Sequence, residues 1–237
     1  MRAWLLIAGA EFTMLRRSAF TLSMGAVLPL ALGGLILLAE ADTGRAGPGT
    51  AAGLLLVTLV TLTAYVSGTT TLASRRQQNV LRRLRGSGAS DAAILTAVLT
   101  PPAVLTLAQA LLLSVALDLR GIRPGPLLPA VLAGVVTACA LAALTAAFTS
   151  APELAQLTTT PIALAFLGGA LWVARTPPAG VDRAMLLLPG AAITQLTRIA
   201  WRVPGADGSP VAVALLLVTA VAAVAAATRV FVWDPRR

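Results

Sequence analysis

Long apolar runs separated by short polar stretches organise this chain, at roughly 18 to 39, 51 to 73, 92 to 117, 127 to 148, 153 to 174 and 210 to 232. Each is about the 20 residues that a helix needs to cross a hydrocarbon core. A bilayer offers no water to backbone groups, so every run predicts a helix that closes its own hydrogen bonds. The alternating polarity of a strand barrel is absent. The expected fold class is therefore an all-α integral membrane protein, a single domain of six transmembrane helices over residues 1 to 237. Ahead of the first run, "MRAWLLIAGAEFTMLRR" places Trp4, Ala8, Phe12 and Leu15 on one helical face and Arg2, Thr13 and Arg16 on the opposite one. That pattern predicts an amphipathic helix over 1 to 17, lying in the membrane interface. Glu11 and the Arg16-Arg17 pair interrupt it before the first run, so it does not read as a signal peptide. Glu11 falls near the apolar face, with two readings: its carboxylate snorkels to headgroups, or it pairs with an arginine of the basic loop described below.

Composition agrees with this pattern, at 57% hydrophobic and 11% charged residues with a mean hydropathy of +0.86. All 18 cationic residues are arginine, and their placement sets an expected orientation. With six spans the termini share a side, which then carries eleven arginines against seven opposite, and the positive-inside rule makes the richer side cytoplasmic. Trp4 and Trp233 on that side, and Trp172 and Trp201 on the other, fit two interfacial belts. Residues 175 to 209 then fall on the extracellular side.

What is missing narrows the chemistry. There is no histidine, so His-based acid–base dyads and His-ligated metal sites are excluded. Cys139, the one cysteine, sits mid-span among alanines and reads as a packing residue. The nine acids fall in the interface helix, at span ends or in loops, unlike the intramembrane carboxylates of ion-driven carriers. No GxxxxGK[ST] phosphate loop is present. The expectation is a chain with no catalytic residues, no metal and no cofactor of its own, whose energy comes from another polypeptide. A basic pI of about 11.7 does not point to nucleic acid, because the charges divide between two membrane faces without interleaved aromatics.

The polar stretch "SRRQQNVLRRLRGSG", Ser74 to Gly88, packs five arginines between the second and third runs. Arg75 to Arg85 reads as a short amphipathic helix, stopped by Gly86 and Gly88. Val80, Leu81 and Leu84 form an apolar strip, with Arg75, Arg82, Arg83 and Arg85 around the rest. Such a helix either rests on anionic lipid or fits a groove on a soluble partner. In the other short connection, Ser150 and Glu153 have capping-box spacing with Pro152 in the first turn, and Glu153 also stands as a partner contact. Thr58, Thr61, Tyr65 and Thr69 recur at near-helical spacing in the second span, as do Gln156 and Thr160 in the fifth. Threonine in a membrane helix often bonds its own backbone instead. Ala138, Ala142 and Ala146, and likewise Thr219, Ala223 and Ala227, predict close helix packing. Pro101-Pro102 predicts a bend in the third span, static or a hinge.

An interface helix, six spans and "RRQQNVLRRLRGSGASDAAIL" together resemble the permease subunits of type-2 ABC exporters, over nearly the whole chain. "FLGGALWV" and "LLLPGAAITQLTRIAW", through Gly168, Gly169 and Pro189, match the family's span 5 end and the short extracellular helices that follow. The loop departs from the family pattern at Gln78-Asn79-Val80 and Ser87-Gly88. The resemblance implies that Leu81-Arg82-Arg83-Leu84-Arg85, with Arg75, Arg76 and Glu153, couples to a separate ATPase subunit that holds ATP and magnesium. It implies two permease copies, identical or paralogous, with two ATPases in a bacterial plasma membrane. It also implies that spans 2 and 5 of the two copies line the route, making Thr58, Thr61, Tyr65, Thr69, Gln156 and Thr160 candidate pathway residues. The cargo expected is a small or amphipathic compound such as an antibiotic, drug, peptide or lipid-like molecule. The alternative is a non-transporting membrane assembly or immunity protein whose basic loop binds lipid.

Overall fold

The computed structural model describes residues 2–17, 23–43, 47–116, 122–231 and 233, and all of its regular structure is helical. Helix α1 spans Arg2–Arg17. A π-helical turn, Ser23–Val27, leads into α2, Leu28–Thr43. The longest helix, α3, runs Pro48–Gln77 through a π-helical segment at Val60–Val66. The short α4 is Val80–Gly86, and α5 is Asp91–Ala116. Next come α6, Pro124–Phe148, and α7, Ala155–Arg175. The short α8 is Pro189–Ala200, and α9 is Ser209–Val230. Among the described residues, five helices are long and apolar enough to cross a membrane, and the first run contributes a shorter apolar helix, Gly25–Leu35. The first run's start at 18 to 22, the third run's last residue, 117, and residue 232 of the sixth run lie outside the described residues. So do Arg45, Arg120, Arg236 and Arg237, which entered the charge count.

Helix α3 is the central pillar, with 89% of its apolar window buried inside the protein. It packs against α2, α5, α6, α7 and α8, while α9 lies mainly along α6. Small residues permit the close approaches: Ala138, Ala142 and Ala146 of α6 and Ala223 and Ala227 of α9 are all buried. In lipid such packing replaces the hydrophobic drive that water would supply.

The twelve residues of α8 are too few to span a bilayer, at about 1.5 Å of rise per residue. Gly190 to Arg198 are nevertheless all buried, because α8 dips into a slot between α3, α6, α7 and α9. Non-spanning backbone at membrane depth is tolerated where protein surrounds it. The slot is cut by glycines. A Cβ on Gly190 would stand 1.7 Å from the backbone oxygen of Phe166, and one on Gly169 would stand 2.8 Å from Leu188 Cβ. Gly53 faces Thr194 and Gly134 faces Ile193 in the same way. Gly168, by contrast, has open space around it.

Two buried arginines tie helix ends together. Arg198, 3% exposed, donates to Thr50 Oγ1 (2.9 Å) and to the carbonyls of Thr176 and Ala174 (both 3.1 Å), joining α8 to the start of α3 and the end of α7. Burial pushes its pKa below the ordinary arginine value, and these acceptors offset the cost of holding the charged form there. Arg76, 1% exposed, donates to Ala146 O at 2.8 Å and to Thr149 O, covering the last carbonyls of α6. Helix C-termini leave such carbonyls without intrahelical partners.

Candidate functional site

The basic stretch is two elements rather than one. At Gln78 the backbone leaves the helix, and Asn79 turns it through a left-handed conformation (φ 58°). Asparagine adopts that conformation more readily than most residues. Arg75 and Arg76 therefore end α3, and only Val80–Gly86 forms the separate surface helix. This corrects the expectation of one helix from Arg75 to Arg85. With Arg76 sealed against α6, it is a structural clamp and not a surface for docking.

The apolar strip of α4 also points the other way from a partner groove. Leu81 is fully buried in the core cluster and Leu84 packs against that cluster. The strip seats α4 on the ends of α3 and α5. Arg85 strengthens the seat through Asp91 (3.1 Å) and by lying 5.2 Å from the Trp233 ring centre, within cation–π reach. What α4 presents outward is Arg82 and Arg83, both exposed, which with Asn79 line an open depression. Glu153 is exposed too, on a 3-10 turn, Pro152–Leu154, that packs against the end of α3. The expected capping box does not form: the turn begins at Pro152, so the cap position falls on Ala151, which carries no side-chain acceptor.

Glu11 takes the second of its two readings. Its Oε2 accepts from Arg75 Nε (3.1 Å) and Nη2 (2.7 Å), with the carboxylate only 7% exposed. Ile7, Ala8 and Glu11 form the buried face of α1 against α5, while Leu5 and Leu6 remain exposed. The ion pair ties the interface helix to the pillar.

The candidate pathway residues separate into two groups. Thr58, Thr61, Tyr65 and Thr69 are all buried inside the bundle. The threonines donate to carbonyls four residues back, at Leu54, Val57 and Tyr65. The Tyr65 hydroxyl lies 3.0 Å from Thr145 Oγ1 and donates to Thr159 O at 3.4 Å, joining α3 to α6 and α7. None of the four faces a surface of this protomer. Their period matches a helix face, but the pillar is covered at these four positions, so the face they share is a packed one. Gln156 and Thr160 are exposed, on a stripe of α7 that continues through Leu164, Gly168 and Leu171. Sequence reasoning did not single out Arg198 or the internal role of Arg76; burial of an arginine depends on which helix ends meet it, and neither position carries a local signal.

A bundle with five helices long and apolar enough to cross a membrane defines a multi-pass membrane protein, and the comparison with protein families takes this further. The family model described as ABC-2 family transporter protein matches residues 42–229. The chain belongs to that family, as a membrane permease subunit of an ABC transporter. Comparison with curated proteins and with solved structures gives no match. Among the described residues no group of His, Cys, Asp and Glu is placed to hold a metal ion.

Proposed function

We propose that this chain is the permease half of an ATP-driven exporter, working as two copies with two separate ATPase subunits that bind ATP and magnesium. The observation that carries the reading is α4. Leu81, Leu84 and Arg85 fix it to the bundle, and Arg82 and Arg83 stand exposed on its outer side. A helix so seated transmits a push from a docked partner directly into α3 and α5. An acidic groove on the ATPase would take Arg82 and Arg83, with Glu153 at its edge. The basic end is then cytoplasmic, the protein sits in the bacterial plasma membrane with both termini inside, and cargo of small or amphipathic character moves outward. The exposed α7 stripe with Gln156 and Thr160 faces the second copy and the route between them, because polar side chains left toward lipid are costly.

Co-purification of the tagged ATPase tests this. Arg82→Glu with Arg83→Glu leaves the permease folded in the membrane and lowers ATPase recovery at least tenfold, since reversed charges at a docking face cost several kcal/mol. Unchanged recovery and transport would refute the coupling role of α4.

A further inference from the structure

Beyond α4, the structure contains a cleft between α1, α3 and α5 of about 310 Å³, at the lower end of the range of about 300–1,000 Å³ for small-molecule sites. Its two walls differ in character. On α3, Ser67, Thr70, Thr71 and Ser74 line it at helical spacing, and Glu11 with Arg75 stands beside them. On α5, Val98, Pro101 and Leu105 form an apolar wall. A ligand that satisfies both walls is amphipathic.

The Glu11 carboxylate, with one oxygen outside its bonds to Arg75, sets the sign of the ligand's head. Thr70 donates its hydroxyl proton to Val66 O (2.9 Å) and Thr71 to Ser67 O (2.8 Å), so each has only lone pairs left to offer. Ser74 Oγ accepts from Gln78 Nε2 at 3.3 Å. Arg75 directs Nε, Nη1 and Nη2 toward Glu11, Gln78 and Met14. Both of its bonds to Glu11 fall on one oxygen, Oε2, which leaves the Oε1 side of the carboxylate for another donor. The polar wall thus offers threonine acceptors and an open carboxylate oxygen, beside the Ser67 and Ser74 hydroxyls, which can either donate or accept.

We propose that this cleft binds a protonated amine carried on an apolar body. The ammonium donates to Glu11 Oε1 and to the threonine oxygens, and the body lies against Val98 and Leu105. A charge-assisted bond to a carboxylate is stronger than a neutral one, so the head supplies much of the selectivity. The proposal rests on the transport reading insofar as it names a cargo class. Binding itself needs no ATPase.

The full chain in phosphatidylcholine nanodiscs, without ATPase, is titrated with radiolabelled 4-phenylbutylamine. 4-Phenylbutanol and 4-phenylbutyrate, which share the apolar body, serve as competitors. The amine binds saturably, one per chain, and unlabelled amine displaces it at least tenfold more effectively than either competitor. Glu11→Gln weakens binding about tenfold or more, and Thr71→Val, which removes an acceptor without changing shape, weakens it at least threefold. Equal displacement by the alcohol, preference for the butyrate, or unchanged affinity in either variant overturns the assignment; should Glu11→Gln not fold, Thr71→Val and the competitor ranking decide. ATPase association is measured separately. A permease that recruits its ATPase and transports, yet shows no amine preference, loses this cleft and keeps the transport reading; amine binding without ATPase recruitment does the reverse.

Discussion

Five arginines within eleven positions look alike in the sequence, yet they do different things. Arg76 is sealed in the bundle, Arg75 holds Glu11, Arg85 holds Asp91, and Arg82 and Arg83 are exposed on α4. Local pattern distinguishes none of these, because each role depends on what a distant segment brings: Ala146 to Arg76, Glu11 to Arg75. Stability should separate them. Arg76→Met removes hydrogen bonds from a charged donor to buried carbonyls, each worth about 1.5–3 kcal/mol, whereas Arg83→Met at an exposed site changes stability by about 0.5 kcal/mol or less. Thermal unfolding of the detergent-solubilised protein measures both. Equal melting temperatures for the two variants would mean that Arg76 is not the clamp described.

At the level of elements, length and apolar content make the long spans legible in the sequence, since a helix that crosses lipid must be continuous and greasy. The π-helical segment in α3 and the break at Asn79 were not legible, because neither alters hydropathy. Nor was the depth of α8: twelve residues with a glutamine, an arginine and two threonines read as a surface segment, and only the facing glycines show that it is buried. The fit of α8 predicts a contrast between two neighbouring kinds of glycine. Gly190→Ala sets a methyl group against a backbone oxygen that cannot swing aside, and overpacking of this kind costs about 1–3 kcal/mol or more. Gly168→Ala meets nothing within 4 Å and gains helix propensity of about 0.5–1 kcal/mol. Melting curves of the two variants should move in opposite directions.

For the whole molecule, the arrangement of charge at the two ends predicts which side faces the cytoplasm, since arginine-rich loops resist translocation. With Cys139 replaced by serine, a cysteine at Ser87 stays unlabelled by an impermeant thiol reagent in intact cells while one at Asp207 reacts. The reverse pattern would turn the molecule over and remove α4 from reach of any cytoplasmic ATPase. The slot for α8 also bears on how the chain is made. Gly53, Gly134 and Gly169 leave the ribosome before Pro189–Ala200 does, and chains are assembled from the N-terminus as they emerge. Until α8 arrives, three helices cut to receive it surround a gap, with Thr50 and the end carbonyls of α7 waiting for Arg198. A message broken between Arg175, where α7 ends, and Pro189, where α8 begins, therefore yields a product that inserts into the membrane and yet cannot close, an open structure for membrane proteases to recognise and clear.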